Sequence, residues 1–194
     1  MSNTEDTAPA ASTPFAVILE HLSDRGFDYT VNGEKNHVEL SVWAANAVYR
    51  CHIRITNEDA LFQAYFYYPI VVREKYRSSA NELLTRANRG LSVGSFEFDF
   101  KDGEVRFRVS QAIGDFPLEK KVVSRLLSTA LNTADRYFPA LAQHLYAGIT
   151  PEDAVYTAEL DIHAASVRES PSSQPESTEV APKAEPPQSK KPQE

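Results

Sequence analysis

Cys51 and His52 stand side by side, the residue types of a nucleophile and its general base. Neighbours on an extended chain point to opposite faces, so adjacency does not make them a pair. Cys51 shares its face with Tyr49, Ile53 and Ile55 and reads as a small buried hydrophobe. The opposite face carries Arg50, His52 and Arg54 in one alternating row. Two guanidinium forks beside an imidazole suit a carboxylate or a phosphate. The second reading of the row is a solvated sheet face whose charge is neutralised across the strand by Glu39, which shares its own face with His37, Ser41 and Trp43.

Trp43, Tyr65 and Tyr67 form a second group. If Phe62, Phe66 and Tyr68 face the helices, Tyr65 and Tyr67 lie on the open face with Trp43 near them, an aromatic and arginine composition enriched at protein interfaces. The same residues become plain core if the last helix covers that face, and the two readings stand side by side.

Other chemistry lacks its residues. Gly90 and Gly94 are not followed by the Lys-Ser or Lys-Thr of a phosphate loop, and Gly103 reads as a hairpin glycine. One cysteine and five scattered histidines give neither a disulfide framework nor a cysteine-rich zinc or iron-sulfur arrangement. His144 has no carboxylate or histidine at four-residue spacing and His163 has Glu159 alone, short of a metal-ligand set, and Asp135-Arg136 and Glu119-Lys120 read as solvated helix charges. The expectation is no catalytic residue, no cofactor and no metal.

The elements that position these residues follow from periodicity. Thr13-Pro14 caps a first helix whose apolar residues Phe15, Ile18, Leu19 and Leu22 recur until Gly26. From Tyr29 the period falls to two, giving strands around Val38, Leu40 and Val42 and around Tyr49 to Ile55, with corners at Asn32-Gly33 and Ala45-Asn46. The run 61–68 is apolar on both faces except Gln63, as in a central strand, and after Pro69 the pattern turns helical through Tyr76, Leu83, Leu84 and Ala87 to Gly90. An Asp102-Gly103 two-residue turn pairs Phe100 with Val105, Phe98 with Phe107, Phe96 with Val109, Asp99 with Arg106 and Glu97 with Arg108. A long helix starts at Pro117 and is expected to break near Phe138, before Pro139; Thr150-Pro151 opens a short last helix toward Ala164. The order is that of an α+β domain, an antiparallel sheet with helices packed on one face.

Composition sets the boundaries. The segment 166–194 holds six prolines and no aromatic residue and is expected to be a disordered Pro/Ser/Glu-rich tail. Residues 1–13 form a disordered start without Lys or Arg, and 14–165 is one domain. With 27 acidic against 20 basic residues and a net charge of -7, nucleic-acid binding is not expected, and no apolar run is long enough to span a membrane. The default setting is cytoplasmic.

Four stretches together carry a family resemblance: 81–90 (NELLTRANRG), the hairpin 94–99 (GSFEFD) with 103–108 (GEVRFR), 133–141 (TADRYFPAL) and 148–154 (GITPEDA). They make the chain similar to the YbjN-domain proteins over residues 14–158. The resemblance implies a bacterial cytoplasmic protein with the fold of type III secretion chaperones, labelled a sensory-transduction regulator, with no catalytic residues to carry over. The long tail departs from that family.

The expected role is a non-enzymatic module, a regulator or chaperone-like adaptor, acting as a homodimer that binds a protein or extended peptide through Trp43, Tyr65 and Tyr67. The alternatives are a small-ligand or phospho-ligand sensor or enzyme using the Arg50, His52, Arg54 row, and a dedicated secretion chaperone.

Overall fold

The computed structural model describes residues 13–169 apart from 57, 59 and 115, and of 161–169 the backbone alone. The expected disorder of residues 1–12 and of the tail beyond Glu169 lies outside the described residues.

The first helix, α1 (Pro14–Asp24), begins as its cap signals require: the Thr13 hydroxyl accepts a hydrogen bond from the Ala16 amide at 3.2 Å and proline occupies the first turn. Three strands follow, β1 (Tyr29–Asn32), β2 (His37–Trp43) and β3 (Val48–Thr56), and then β4 (Leu61–Val71). The Ala45-Asn46 corner is a two-residue turn, closed by the Ala44 amide donating to the Ala47 carbonyl at 3.0 Å. Beyond it come α2 (Arg77–Arg89), the hairpin β5 (Ser95–Phe98) and β6 (Glu104–Ala112), α3 (Lys120–Ala142) and α4 (Pro151–Glu169).

All six strands pair antiparallel in the order β1-β2-β3-β4-β6-β5. The even-numbered apolar residues of β2 and β4 and the odd-numbered ones of β3 and β6 are buried with α1, α2 and α3 in one core, whose largest fully buried members are Tyr49, Tyr137, Phe62, Phe66 and Phe107. α3 lies against β4 and β6, while α4 packs on α2 and α3. The α+β expectation holds, with helices on one face of an antiparallel sheet.

Four local expectations are corrected. β4 does not end at Pro69 but runs to Val71, with the ladder slipping between Tyr67 and Val71; proline cannot donate to a ladder and is accommodated at this irregularity. The β5–β6 register differs by two residues, so Phe96 faces Phe107, Phe98 faces Val105 and Glu97 faces Arg106. The turn is longer than two residues, since the Asp99 amide donates to the Glu104 carbonyl and the Gly103 amide to the Asp99 carbonyl. A slip of two keeps every side chain on its face, which is why the apolar and charged faces survive the error. Phe100 leaves the strand for the turn and is exposed.

The third correction concerns α3, which begins at Lys120 rather than Pro117 and does not break at Phe138 but carries Pro139 inside it. The fourth concerns Asp135, expected on the helix surface and found buried at 8 % exposure. The two are linked. Proline at 139 offers no amide to the Asp135 carbonyl four residues earlier. The Asn46 side-chain amide donates to that carbonyl at 3.0 Å instead.

Gly103 shows how tightly the hairpin is seated. Its φ is +83°, and a Cβ there would lie 2.1 Å from the Val72 carbonyl oxygen, while its own carbonyl accepts from the Val72 amide at 2.9 Å. Gly103→Ala is expected to cost about 2–4 kcal/mol in urea unfolding. Gly33→Ala, with an ordinary φ and nothing within 4 Å of the added carbon, is the matched control and should leave the midpoint in place.

Candidate functional site

The face of the sheet away from the helices is uncovered among the described residues, and alternation sends the polar residues there. In register, Glu39 of β2 faces His52 of β3, which faces Tyr65 of β4, which faces Arg108 of β6. One row over, Ser41, Arg50, Tyr67 and Arg106 line up in the same way. The expected row Arg50, His52 and Arg54 thus exists, and it abuts Tyr65 and Tyr67.

Arginines and tyrosines interleave on this face. The Arg50 guanidinium lies over the Tyr67 ring at 4.6 Å, Arg54 over Tyr65 at 5.1 Å and Arg106 over Tyr65 at 4.7 Å. Arg54 donates to the Tyr65 hydroxyl at 2.7 Å and to the Gln63 side-chain oxygen at 2.9 Å, and Arg106 donates to the Tyr67 hydroxyl at 3.2 Å. Covering by these arginines explains why Tyr65 is only 6 % exposed on a face that no helix meets.

The charges are unevenly answered. Glu97 receives Arg106 at 2.7 Å and Arg108 at 2.8 Å, so the sequence pairing of Glu97 with Arg108 survives as a diagonal contact while Asp99 does not meet Arg106. Burial opposes the charge of Arg106, but its bonds to Glu97 and Tyr67 prevail and hold its pKa above the usual arginine value. Arg50 approaches Glu104 at 3.6 Å. Arg54 has no carboxylate partner among the described residues; its head is held by neutral groups alone. A groove of about 620 Å³ runs over this part of the sheet, bordered by Lys35, His37, Glu39, His52, Arg54 and Arg106 among others.

Glu39 neutralises the row only in part. Its carboxylate lies 3.7 Å from His37 Nδ1 and 4.0 Å from His52 Nε2, distances of charge proximity rather than hydrogen bonding. The His52 ring lies tilted against Tyr67 at 4.8 Å and edge-on to His37 at 5.1 Å, and its Nε2 is shielded from solvent with no hydrogen-bond partner among the described residues. Burial lowers the His52 pKa, partly countered by Glu39.

Trp43 does not join the two tyrosines. It ends β2 opposite Val48, 80 % exposed, beside a shallower hollow that reaches Arg50, Tyr29 and Arg25. The last helix does not cover any of these aromatics, because α4 sits on α2 and α3 behind the sheet. Cys51 is buried among apolar side chains, and burial pushes its thiol pKa up, away from a nucleophile's range. His144 is satisfied structurally, bridging Ser79 Oγ at 2.8 Å and the Ile149 carbonyl at 2.7 Å.

Sequence reasoning missed Arg106 and Gln63 as members of the lattice. Both sit at face-matched positions, but which tyrosine each meets depends on strand order, and β6 beside β4 is a long-range pairing.

One comparison with known proteins gives a family. The model of the family YbjN, described as "Putative bacterial sensory transduction regulator", matches residues 14–143. No curated protein matches the chain. Among solved structures, the crystal structure of YbjN from E. coli, described as a putative transcription regulator, is similar at 11 % identity and a TM-score of 0.49, covering 81 % of this chain and 96 % of that one.

Proposed function

Given that the chain belongs to the YbjN family, a family described as bacterial regulators, we propose that it regulates by binding, and that its open sheet face receives an acidic stretch of a partner protein. The observation that carries this reading is Arg54, a guanidinium at the edge of a groove with no carboxylate to answer it among the described residues, in a lattice of arginines laid over tyrosines. On a chain with a net charge of -7, a face with Arg50, Arg54, Arg106 and Arg108 against Glu39, Glu97 and Glu104 is a local reversal of sign. Such a face attracts acidic segments. Tyrosine and arginine are also among the residue types enriched at binding hot spots. The reading assigns no reaction to the chain and sets the cytoplasm as its place of action.

The experiment uses the single tryptophan, Trp43 at the rim of the face, as the reporter. A peptide alternating Glu with Val is titrated into the full chain beside its Gln counterpart. The acidic peptide should bind and weaken with salt, and Arg54→Gln should lose about 10–100-fold in affinity, the worth of one desolvated charge-assisted hydrogen bond. Equal binding of the Gln peptide, or an Arg54→Gln variant with unchanged affinity, overturns the reading; binding of inorganic phosphate in place of the peptide favours a phospho-ligand sensor on the same residues.

The exposed Trp43 indole supports a second reading, a homodimer through this corner of the sheet. Light scattering tests it: a dimer mass that falls to the monomer's in Trp43→Ala supports the contact, and a monomer at all concentrations removes it.

A further inference from the structure

We propose that His37, Glu39 and His52 form a binding site for a divalent first-row transition metal, zinc being the best fit. One donor atom from each of the three lies within 4.8 Å of the other two. The arrangement is set by the sheet: His37 and Glu39 are two apart on β2 and so share a face, and His52 is the cross-strand partner of Glu39. Two imidazoles and one carboxylate are the donor set of open three-ligand zinc and iron sites.

The present spacing needs little change. Zinc bonds to nitrogen and oxygen run about 2.0–2.2 Å, and tips this close reach a common ion when each moves inward by less than about 1 Å. The Glu39 side chain is half exposed and free to make that movement. The second observation is His52 Nε2, shielded from solvent, without a hydrogen-bond partner and aimed at the Glu39 carboxylate 4.0 Å away. A buried ring nitrogen without a partner costs free energy, and an ion between it and Glu39 would answer it.

The surrounding cations do not occupy the position. Arg54 is turned to Gln63 and the Tyr65 hydroxyl, and Arg106 to Glu97 and the Tyr67 hydroxyl. With Glu39 as the one carboxylate among the three donors, a bound dication keeps a net positive charge, and its remaining coordination positions face the groove. An acidic side chain of a partner is the donor that would fill them. That last step rests on the acidic-partner reading; the metal site itself does not.

The test is isothermal titration of the full chain, stripped with a chelator, with zinc chloride alone, and cobalt(II) absorption on the same variants. The expected result is one equivalent bound, with affinity reduced at least about tenfold in each of His37→Asn, Glu39→Gln and His52→Gln and unchanged in His163→Gln. Glu39→Gln exchanges one exposed oxygen for a nitrogen and so keeps the test valid if a histidine variant folds poorly. Absence of binding to the stripped chain overturns the proposal, as does binding that persists in the His37→Asn, His52→Gln double variant. Because no peptide is present, failure here leaves the Arg54 result standing, and failure there leaves this one.

Discussion

Asp135→Ala is expected to destabilise the domain by about 3–5 kcal/mol, the range for a buried, multiply hydrogen-bonded carboxylate whose partners are left behind. The Asp135 carboxylate accepts from the Asn46 backbone amide at 3.0 Å, from the Asn46 side-chain amide at 3.0 Å and from the Tyr49 hydroxyl at 3.1 Å. Removing it strands three donors where α3 meets the β2–β3 corner. Asn46 serves twice, since its side chain also reaches the Asp135 carbonyl that Pro139 leaves unpaired. A double-mutant cycle separates the two roles. In a Pro139→Ala background, residue 139 regains an amide for that carbonyl, so Asn46→Ala should cost about 1 kcal/mol less there than in the natural sequence. Urea midpoints of the four proteins of the cycle and of Asp135→Ala check it: additive values, or an Asp135→Ala midpoint within experimental scatter of the wild type, would remove the clamp from the account of the fold.

This clamp marks the limit of what the sequence displays. Alternation along Tyr49 to Ile55 and along 61–68 sorts side chains to the core or the open face, because parity on a strand is a local property. The Ala45-Asn46 corner even makes Glu39 and His52 partners by counting outward along the chain, as a two-residue turn leaves one register. The β5–β6 register was not legible, because the turn runs through Phe100 and Lys101 as well as Asp102 and Gly103, and no local pattern separates a short turn from a longer one with the same glycine. Pro139 illustrates the same limit more sharply: the rule that proline ends a helix is a statement about missing donors and crowding, and here a donor arrives from a residue far away in sequence. The arginine and tyrosine lattice was legible as a face and not as a set of contacts, since the partner of Arg106 is decided by β6 lying beside β4. The helical side of the sheet has nearly every polar group answered from within the chain. Among the described residues the open side leaves Arg54 without a carboxylate and His52 Nε2 without a hydrogen bond, so the functional readings and their tests all fall there.

Alkaline unfolding supplies the other large effect. Tyr49, Tyr68 and Tyr137 are buried where α3 meets the sheet and α4, and burial is the main reason each hydroxyl holds its proton above the ordinary tyrosine value. Asp135 adds to the rise at Tyr49, the charges of Tyr49 and Asp135 add at Tyr68, and Glu159 adds at Tyr137, which is pushed up to about 12 against a small opposing pull from Arg136. Below pH 10 the folded and unfolded chains both keep these protons, and the stabilisation is fully present. Between pH 10 and 12 the unfolded chain gives them up while the folded chain does not, so the unfolded state binds fewer protons and stability falls as pH rises. Each tyrosine contributes a slope of at most about 1.4 kcal/mol per pH unit, and the three together about 4, enough to unfold a domain of ordinary stability before pH 12. Urea midpoints from pH 8 to 11.5 should be level and then drop steeply, and Tyr137→Phe should make the drop shallower by about a third. Tyrosinate absorbance gives the independent reading: of the nine tyrosines, these three should ionise only as the chain unfolds. A midpoint that stays level through pH 11.5, or nine tyrosines ionising together near pH 10 with the fold intact, would mean that water reaches the hydroxyls at the α3 contact and that the core there is looser than its packing implies.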